Sequence, residues 1–202
     1  PLVFDGEYAT YKLINAHFLG QLKKDVILIN TSRGEVIDEP SLITFKTANP
    51  DASLILDVWC NEPAINIELL QHTLIATPHI AGYSLDGKIK ASMMLLEALT
   101  AFIDCEPETT DLNRLKEKKN TIELEEDIIQ LAVMQSYDVR SDAVALRNLL
   151  TLDKAEHGEF FDSLRKNYPV RREFTNRLVH THNIDMQTAQ QLEQLGFQLD
   201  KT

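Results

Sequence analysis

The sequence predicts an α/β fold built on parallel strands, and three observations predict it. Short continuous apolar runs recur: "VILIN" (26–30), "SLILDV" (53–58) and "TLIAT" (73–77). Segments with helix signals separate them. Each run is followed by a turn carrying a chemically active side chain, in order Arg33, Glu62 and His79. Continuous apolar runs suit parallel strands buried on both faces. Their alternation with helices implies right-handed crossovers.

Asn15 caps a short helix reaching about Leu22, with Leu19 and Leu22 facing inward. In "DEPSLITFKTA" (38–48), Asp38 is the cap and Pro40 fits the first turn. "IELLQH" (67–72) is a short helix, and Thr77 before Pro78 is biased towards an extended conformation. Ser84 opens a long helix that ends near Asp104. Along it Ile89, Met93, Leu96, Leu99 and Ile103 recur at helical spacing, widened by Leu95, Ala98 and Phe102. So wide a stripe wants partners on more than one side. Met93 and Met94 read as core filling.

Residues 105–120 are polar and charged and read as a linker. A second α/β unit follows over 121–202. Its expected strands are 121–125, 177–182 and 197–200. Its expected helices are 125–138, one with Asp142 near its start, 155–168 stopped by Pro169, and 186–196 closed by Gly196.

Composition narrows the function. The chain has 202 residues, 44% hydrophobic, with 20 basic against 31 acidic side chains. That length suggests one large domain or two small ones. Neither half is basic, so nucleic acid and anionic membranes are not expected partners. There is no bilayer-length apolar run and no signal-peptide pattern, so a cytoplasmic location is expected. Cys60 and Cys105 form no CxxC motif and are expected as reduced thiols.

Ligands of open parallel sheets bind beyond the carboxyl ends of the strands. Arg33, Glu62 and His79 each follow a strand, so the topology sends all three to one rim. A guanidinium matches a carboxylate in a two-pronged fashion. An imidazole takes or gives the proton of a hydroxyl. A glutamate beside it holds the ring and favours its cation. With a hydride acceptor opposite, this set oxidises a 2-hydroxy acid, and such an acceptor would be a nicotinamide.

"INTSRGEVID", "LDVWCNEP" and "TPHIAGYSLDGK" together resemble the D-2-hydroxyacid dehydrogenases, with 29 residues from Arg33 to Glu62 and 17 more to His79. "HIAGYSLDGK", "YDVRSDAVALR" and "LRKNYPVRRE" resemble a narrower group within that family. Its substrate is a phosphorylated 2-hydroxy acid and its product serves pyridoxal 5′-phosphate synthesis. The resemblance implies a fold: the C-terminal part of a Rossmann-type parallel sheet over 1–104, then a small α/β dimerisation domain over 121–202. It implies Arg33 as the substrate-orienting residue, Glu62 as the partner of the histidine and His79 as the general acid/base. It implies NAD as cofactor, lined by Thr31, Ser32, Arg33, Asp57 and Gly82, with Tyr83 on the substrate. It also implies a homodimer through residues 105–202.

The departure from the family is the glycine pattern. The seven glycines nowhere form GxGxxG, the loop that cradles a dinucleotide pyrophosphate. The chain is therefore expected to be the C-terminal part of a longer enzyme, inactive alone and weak at best towards NAD. Another D-2-hydroxyacid dehydrogenase, such as one acting on phosphoglycerate, and a non-catalytic dimerisation module are the alternative readings.

Several features are decoys. "GYSLDGKI" (82–89) nearly spells a P-loop, but Ile89 stands where a magnesium ligand belongs. Cys60 reads as a spectator thiol and Lys88 as a solvated helix-start lysine. "RKNYPVRRE" reads as a salt-bridging segment at a subunit interface. His157, His180 and His182 fall in the second unit, but "HTH" (180–182) has no third ligand at metal-binding spacing, so no metal is expected.

Overall fold

The computed structural model describes residues 2–104, 120–122, 128–180 and 184–200. The chain forms two compact units, residues 1–81 with 139–168 and residues 82–138 with 169–202. Each contains a three-stranded, wholly parallel sheet.

In the first unit the order is α1 (Ala16–Leu19), β1 (Ile27–Asn30), α2 (Glu39–Ala48), β2 (Ser53–Leu56), α3 (Ile67–His72) and β3 (Ile75–Ala76). The strands lie side by side in sequence order. Capping explains where the helices start. Asn15 accepts from the N–H groups of His17 and Phe18, Asp38 from Ser41, and Asn66 from Glu68 and Leu69. The core gathers Leu42, Leu54, Leu56, Trp59, Leu69 and Leu70 between the helices and the sheet.

Three further helices split between the units. α5 (Ile128–Ser136) belongs to the second unit, while α6 (Val139–Arg147) and α7 (His157–Lys166) belong to the first. The sequence suggested that everything after residue 121 folds together; the compact units instead place α6 and α7 against the first sheet. The reason is apolar: Leu146, Leu149 and Phe161 are fully buried in the core of that sheet. Arg147 adds a polar fastening, donating from Nη2 to the carbonyls of Thr73 at 2.7 Å and Leu74 at 3.2 Å.

The second unit contains α4 (Leu85–Ile103), β4 (Asn120–Ile122), α5, β5 (Arg177–His180), α8 (Met186–Gln194) and β6 (Gln198–Asp200). Its sheet runs β4-β5-β6. Ala132, Val179, Leu192 and Phe197 form its core, and Phe174 stacks on Phe197 with ring centroids 4.6 Å apart. Gly196, with φ +99°, turns the chain from α8 into β6, a conformation that suits glycine.

Two burial expectations fail. β1 is an edge strand: Ile27 and Ile29 are 64% and 62% exposed, so it is not buried on both faces. No residue of α4 is buried, and Leu95 and Phe102 are 73% and 87% exposed. Met93 and Met94 are therefore exposed on that helix rather than filling a core. Among the described residues, no helix is long and apolar enough to cross a membrane. Cys60 is a free thiol, whereas Cys105, His182, the 105–119 stretch and the acidic run 123–127 lie outside the described residues.

Candidate active site

The sheet of the first unit delivers its turns to one rim. β1 ends at Asn30, β2 at Leu56 and β3 at Ala76, and all three are parallel. Arg33, Glu62 and His79 follow those three strand ends. The closest encounter is between the last two: His79 Nδ1 lies 2.8 Å from Glu62 Oε2. Both side chains are partly shielded, with 33% and 20% of their surface exposed. An ionised carboxylate only accepts hydrogen bonds, so Nδ1 carries the proton. Nε2 is then the ring atom with a lone pair to offer.

The backbone beneath His79 is held by Asp57. Oδ1 of this buried carboxylate accepts from the Thr77 hydroxyl at 2.6 Å and the Ile80 N–H at 2.8 Å; Oδ2 accepts from the Ala81 N–H at 3.0 Å. The Asp57 carbonyl takes the His79 N–H at 2.7 Å. His79 itself sits at φ +56°, a left-handed conformation that costs a non-glycine residue about 1 kcal/mol. Four hydrogen bonds around Asp57 hold it there.

The turn bearing Glu62 is held as firmly. Glu62 Oε1 folds back onto the Trp59 N–H at 2.9 Å. The indole N–H of Trp59 donates to the Thr77 carbonyl at 3.0 Å, tying this turn to that of His79. Glu39, only 7% exposed, accepts the Cys60 N–H at 2.8 Å. Burial, with Glu35 adding like charge, pushes the Glu39 carboxyl above its ordinary value, against the pull of that N–H. Burial also pushes the Cys60 thiol up to about 12, with Glu39 and Glu35 adding to it. A thiol so placed stays protonated near neutrality and is no nucleophile.

Arg33 stands on the third turn. The side chain of buried Asn30 shapes that turn: its Nδ2 donates to the Arg33 carbonyl at 2.9 Å, and its Oδ1 accepts from the Ser32 N–H at 3.1 Å and hydroxyl at 2.7 Å. Thr31, Ser32 and Arg33 are exposed, and the guanidinium rests on the Ser32 carbonyl. Gly34 packs against the Trp59–Cys60 peptide, where any Cβ would overlap the backbone of both residues. The three turns thus interlock through Gly34, Trp59 and Asp57.

Residues 4–81 match the family described as D-isomer specific 2-hydroxyacid dehydrogenase, NAD binding domain. Curated relatives named erythronate-4-phosphate dehydrogenase resemble most of the chain. The protein from Colwellia psychrerythraea is 44% identical over 87% of this chain and 44% of its own length. That from Proteus mirabilis is 40% identical over 98% of this chain and 52% of its own. Across both comparisons the likeness is to the D-isomer specific 2-hydroxyacid dehydrogenases. It spans about half the length of the curated relatives it matches. Residues 107–196 match a domain of unknown function. A solved glyoxylate reductase from Paecilomyes thermophila is 27% identical, with a TM-score of 0.44 over 55% of this chain and 35% of its own.

Within this dehydrogenase family NAD is the cofactor of the matched domain. In the first unit Thr31, Ser32 and Arg33 are exposed on the rim, where polar groups could face one side of such a cofactor. Gly82 and Tyr83 begin the second unit, where Lys88 Nζ lies 4.2 Å over the Tyr83 ring. The near-P-loop there is a helix cap: Ser84 Oγ accepts the Gly87 N–H at 3.0 Å, and a Cβ on Gly87 would press on that oxygen. Within "RKNYPVRRE", Arg172 pairs with Asp86 of the same chain at 2.9 Å and Arg171 covers the Tyr137 ring. His180 pairs with Asp200 at 2.9 Å, and His157 bonds the Leu152 carbonyl. Among the described residues, no group of three or more His, Cys, Asp or Glu is placed to hold a metal ion.

The sequence reading missed Asn30, Glu39 and Thr77. Each is a polar residue at a strand end or helix start, and each is buried. Of the three, only Thr77 is singled out in the sequence, and then for its extended conformation before Pro78 rather than for its side chain.

Proposed function

We propose that this chain supplies the proton-transfer side of an NAD-dependent dehydrogenase that oxidises the 2-hydroxyl of 4-phospho-D-erythronate in pyridoxal 5′-phosphate synthesis. The observation that carries this reading is the Glu62–His79 pair, 2.8 Å apart on the sheet rim. The names of the curated relatives support the substrate.

Arg33 grips the substrate carboxylate and polarises the neighbouring C2–O bond. His79 Nε2 accepts the hydroxyl proton as C2 becomes a carbonyl, and Glu62 stabilises the imidazolium that results. NAD, when bound, supplies the acceptor for the hydrogen that leaves C2 as hydride. Thr31, Ser32, Arg33 and Gly82 would line its nicotinamide side and Tyr83 would meet the substrate, whereas Asp57, expected there from the sequence, is buried and holds the His79 turn instead. This chain has no GxGxxG loop, so its own NAD affinity is expected to be weak. The reading includes a cytoplasmic homodimer joined through residues 105–202.

The test is a chimera in which this chain replaces the matching half of the Proteus mirabilis relative. NADH formation with 4-phospho-D-erythronate is expected, and His79→Asn is expected to lower kcat by about 100-fold or more while leaving NAD affinity intact. A folded chimera without activity, or one that His79→Asn leaves active, refutes the reading.

A further inference from the structure

The proposed chemistry uses Arg33, Glu62 and His79, and Asp57 is absorbed in holding the His79 turn. One buried ionisable group near the rim has no part in it. Glu39 occupies the first position of α2, yet its carboxylate does not serve that helix: Asp38 already caps it. Its Oε1 instead reaches 21 residues along the chain to the Cys60 N–H. Burying a carboxylate is costly unless it is well bonded, and the Cys60 N–H supplies such a bond.

Cys60 lies between Trp59 and Glu62. The Trp59 N–H is taken by Glu62 Oε1. If the Cys60 N–H were unpaired, it would stand one residue away as a competing donor for the same carboxylate. Capture of Glu62 by that donor would draw Oε2 off His79. Asn61, between Cys60 and Glu62, turns the chain with φ +59°, a left-handed conformation that asparagine adopts more readily than most residues.

We infer that Glu39 is a positioning residue: by engaging the Cys60 N–H it fixes the 59–62 turn so that Glu62 keeps its second oxygen on His79 Nδ1. The inference rests on the acid/base reading of that pair, but it is tested without turnover.

The probe is the tautomer of His79, read from the 15N shifts of its ring in the purified chain above the pH where imidazoles titrate. Free neutral imidazole favours the proton on Nε2; the bond to Glu62 holds it on Nδ1. Glu62→Ala sets the unheld limit. Glu39→Ala is expected to move the ring at least halfway to that limit. Glu39→Gln keeps the acceptor oxygen and is expected to retain the wild-type tautomer. Should Glu39→Ala not fold, Glu39→Asp gives the same reading, because the shorter chain withdraws the oxygen from Cys60. A wild-type tautomer in a folded Glu39→Ala or Glu39→Asp protein overturns the inference. So does a failure of both to fold, which would make Glu39 a residue of the fold alone. A changed tautomer in Glu39→Gln overturns it too, since the hydrogen bond would then not be what matters. An inactive chimera with the expected tautomers would instead count against the proposed reaction.

Discussion

At the scale of single residues, the site depends on buried polar groups that tie turns together rather than on the catalytic side chains alone. Gly34 is the tightest point, because its hydrogen stands against the Trp59–Cys60 peptide. Gly34→Ala is expected to destabilise the first unit by about 2–3 kcal/mol in urea unfolding, as overpacked interiors do; unchanged stability would mean the turns are not interlocked there. Cys60 gives a pH test. Its folded thiol is raised from 9.0 to about 12, chiefly by burial. A group whose folded pKa is raised adds stability below its unfolded value and loses it as pH climbs through the folded one. The stability difference between wild type and Cys60→Ala should therefore fall for the wild type from about pH 9 to about 12 and be flat below pH 8. At this scale the sequence was legible where chemistry shows in residue type. Arg33, Glu62 and His79 could be picked out because each is a reactive group after an apolar run. Asn30, Glu39 and Thr77 could not: a buried polar residue looks like any surface one until its partner, often 20 residues away, is known.

At the scale of elements, local signals carried most of the fold. The caps Asn15, Asp38, Asn66, Ser84 and Asp185 start their helices by side-chain bonds to backbone N–H groups, a short-range effect that sequence expresses directly. The strands of the first sheet fall inside the apolar runs that suggested them, and those of the second fall inside or beside the segments expected as strands. Packing partners were less legible. An apolar run reads the same in a central strand and in β1, an edge strand with two exposed isoleucines. The apolar stripe of α4 likewise does not reveal that none of its residues is buried in this chain. The return of α6 to the first sheet is a long-range choice made by Leu146 and fastened by Arg147. Arg147→Ala would leave the Thr73 and Leu74 carbonyls without that donor. It is expected to cost about 1–3 kcal/mol in denaturant unfolding. A cost near zero would show that apolar packing alone holds α6.

At the scale of the whole molecule, two parallel sheets share one chain whose segments interleave: α6 and α7 lie far along the sequence yet complete the unit that carries the rim. Hydrogen exchange should therefore group the amides of Leu146 and Phe161 with those of Leu54 and Leu56, all in one core. If α6 and α7 exchanged instead with Val179 and Leu192, the partition would be wrong. The family likeness assigns the matched domain and its cofactor, but it does not say how this chain orients an imidazole. That orientation is the product of all three interlocked turns, and it is the physical claim beneath the proposed chemistry. Long-range 1H–15N correlation of the His79 ring in the intact chain measures it. With Glu62 Oε2 accepting from the ring, a protonated Nδ1 and a bare Nε2 are expected in the neutral imidazole. A neutral ring protonated on Nε2, the preference of free histidine, would contradict it.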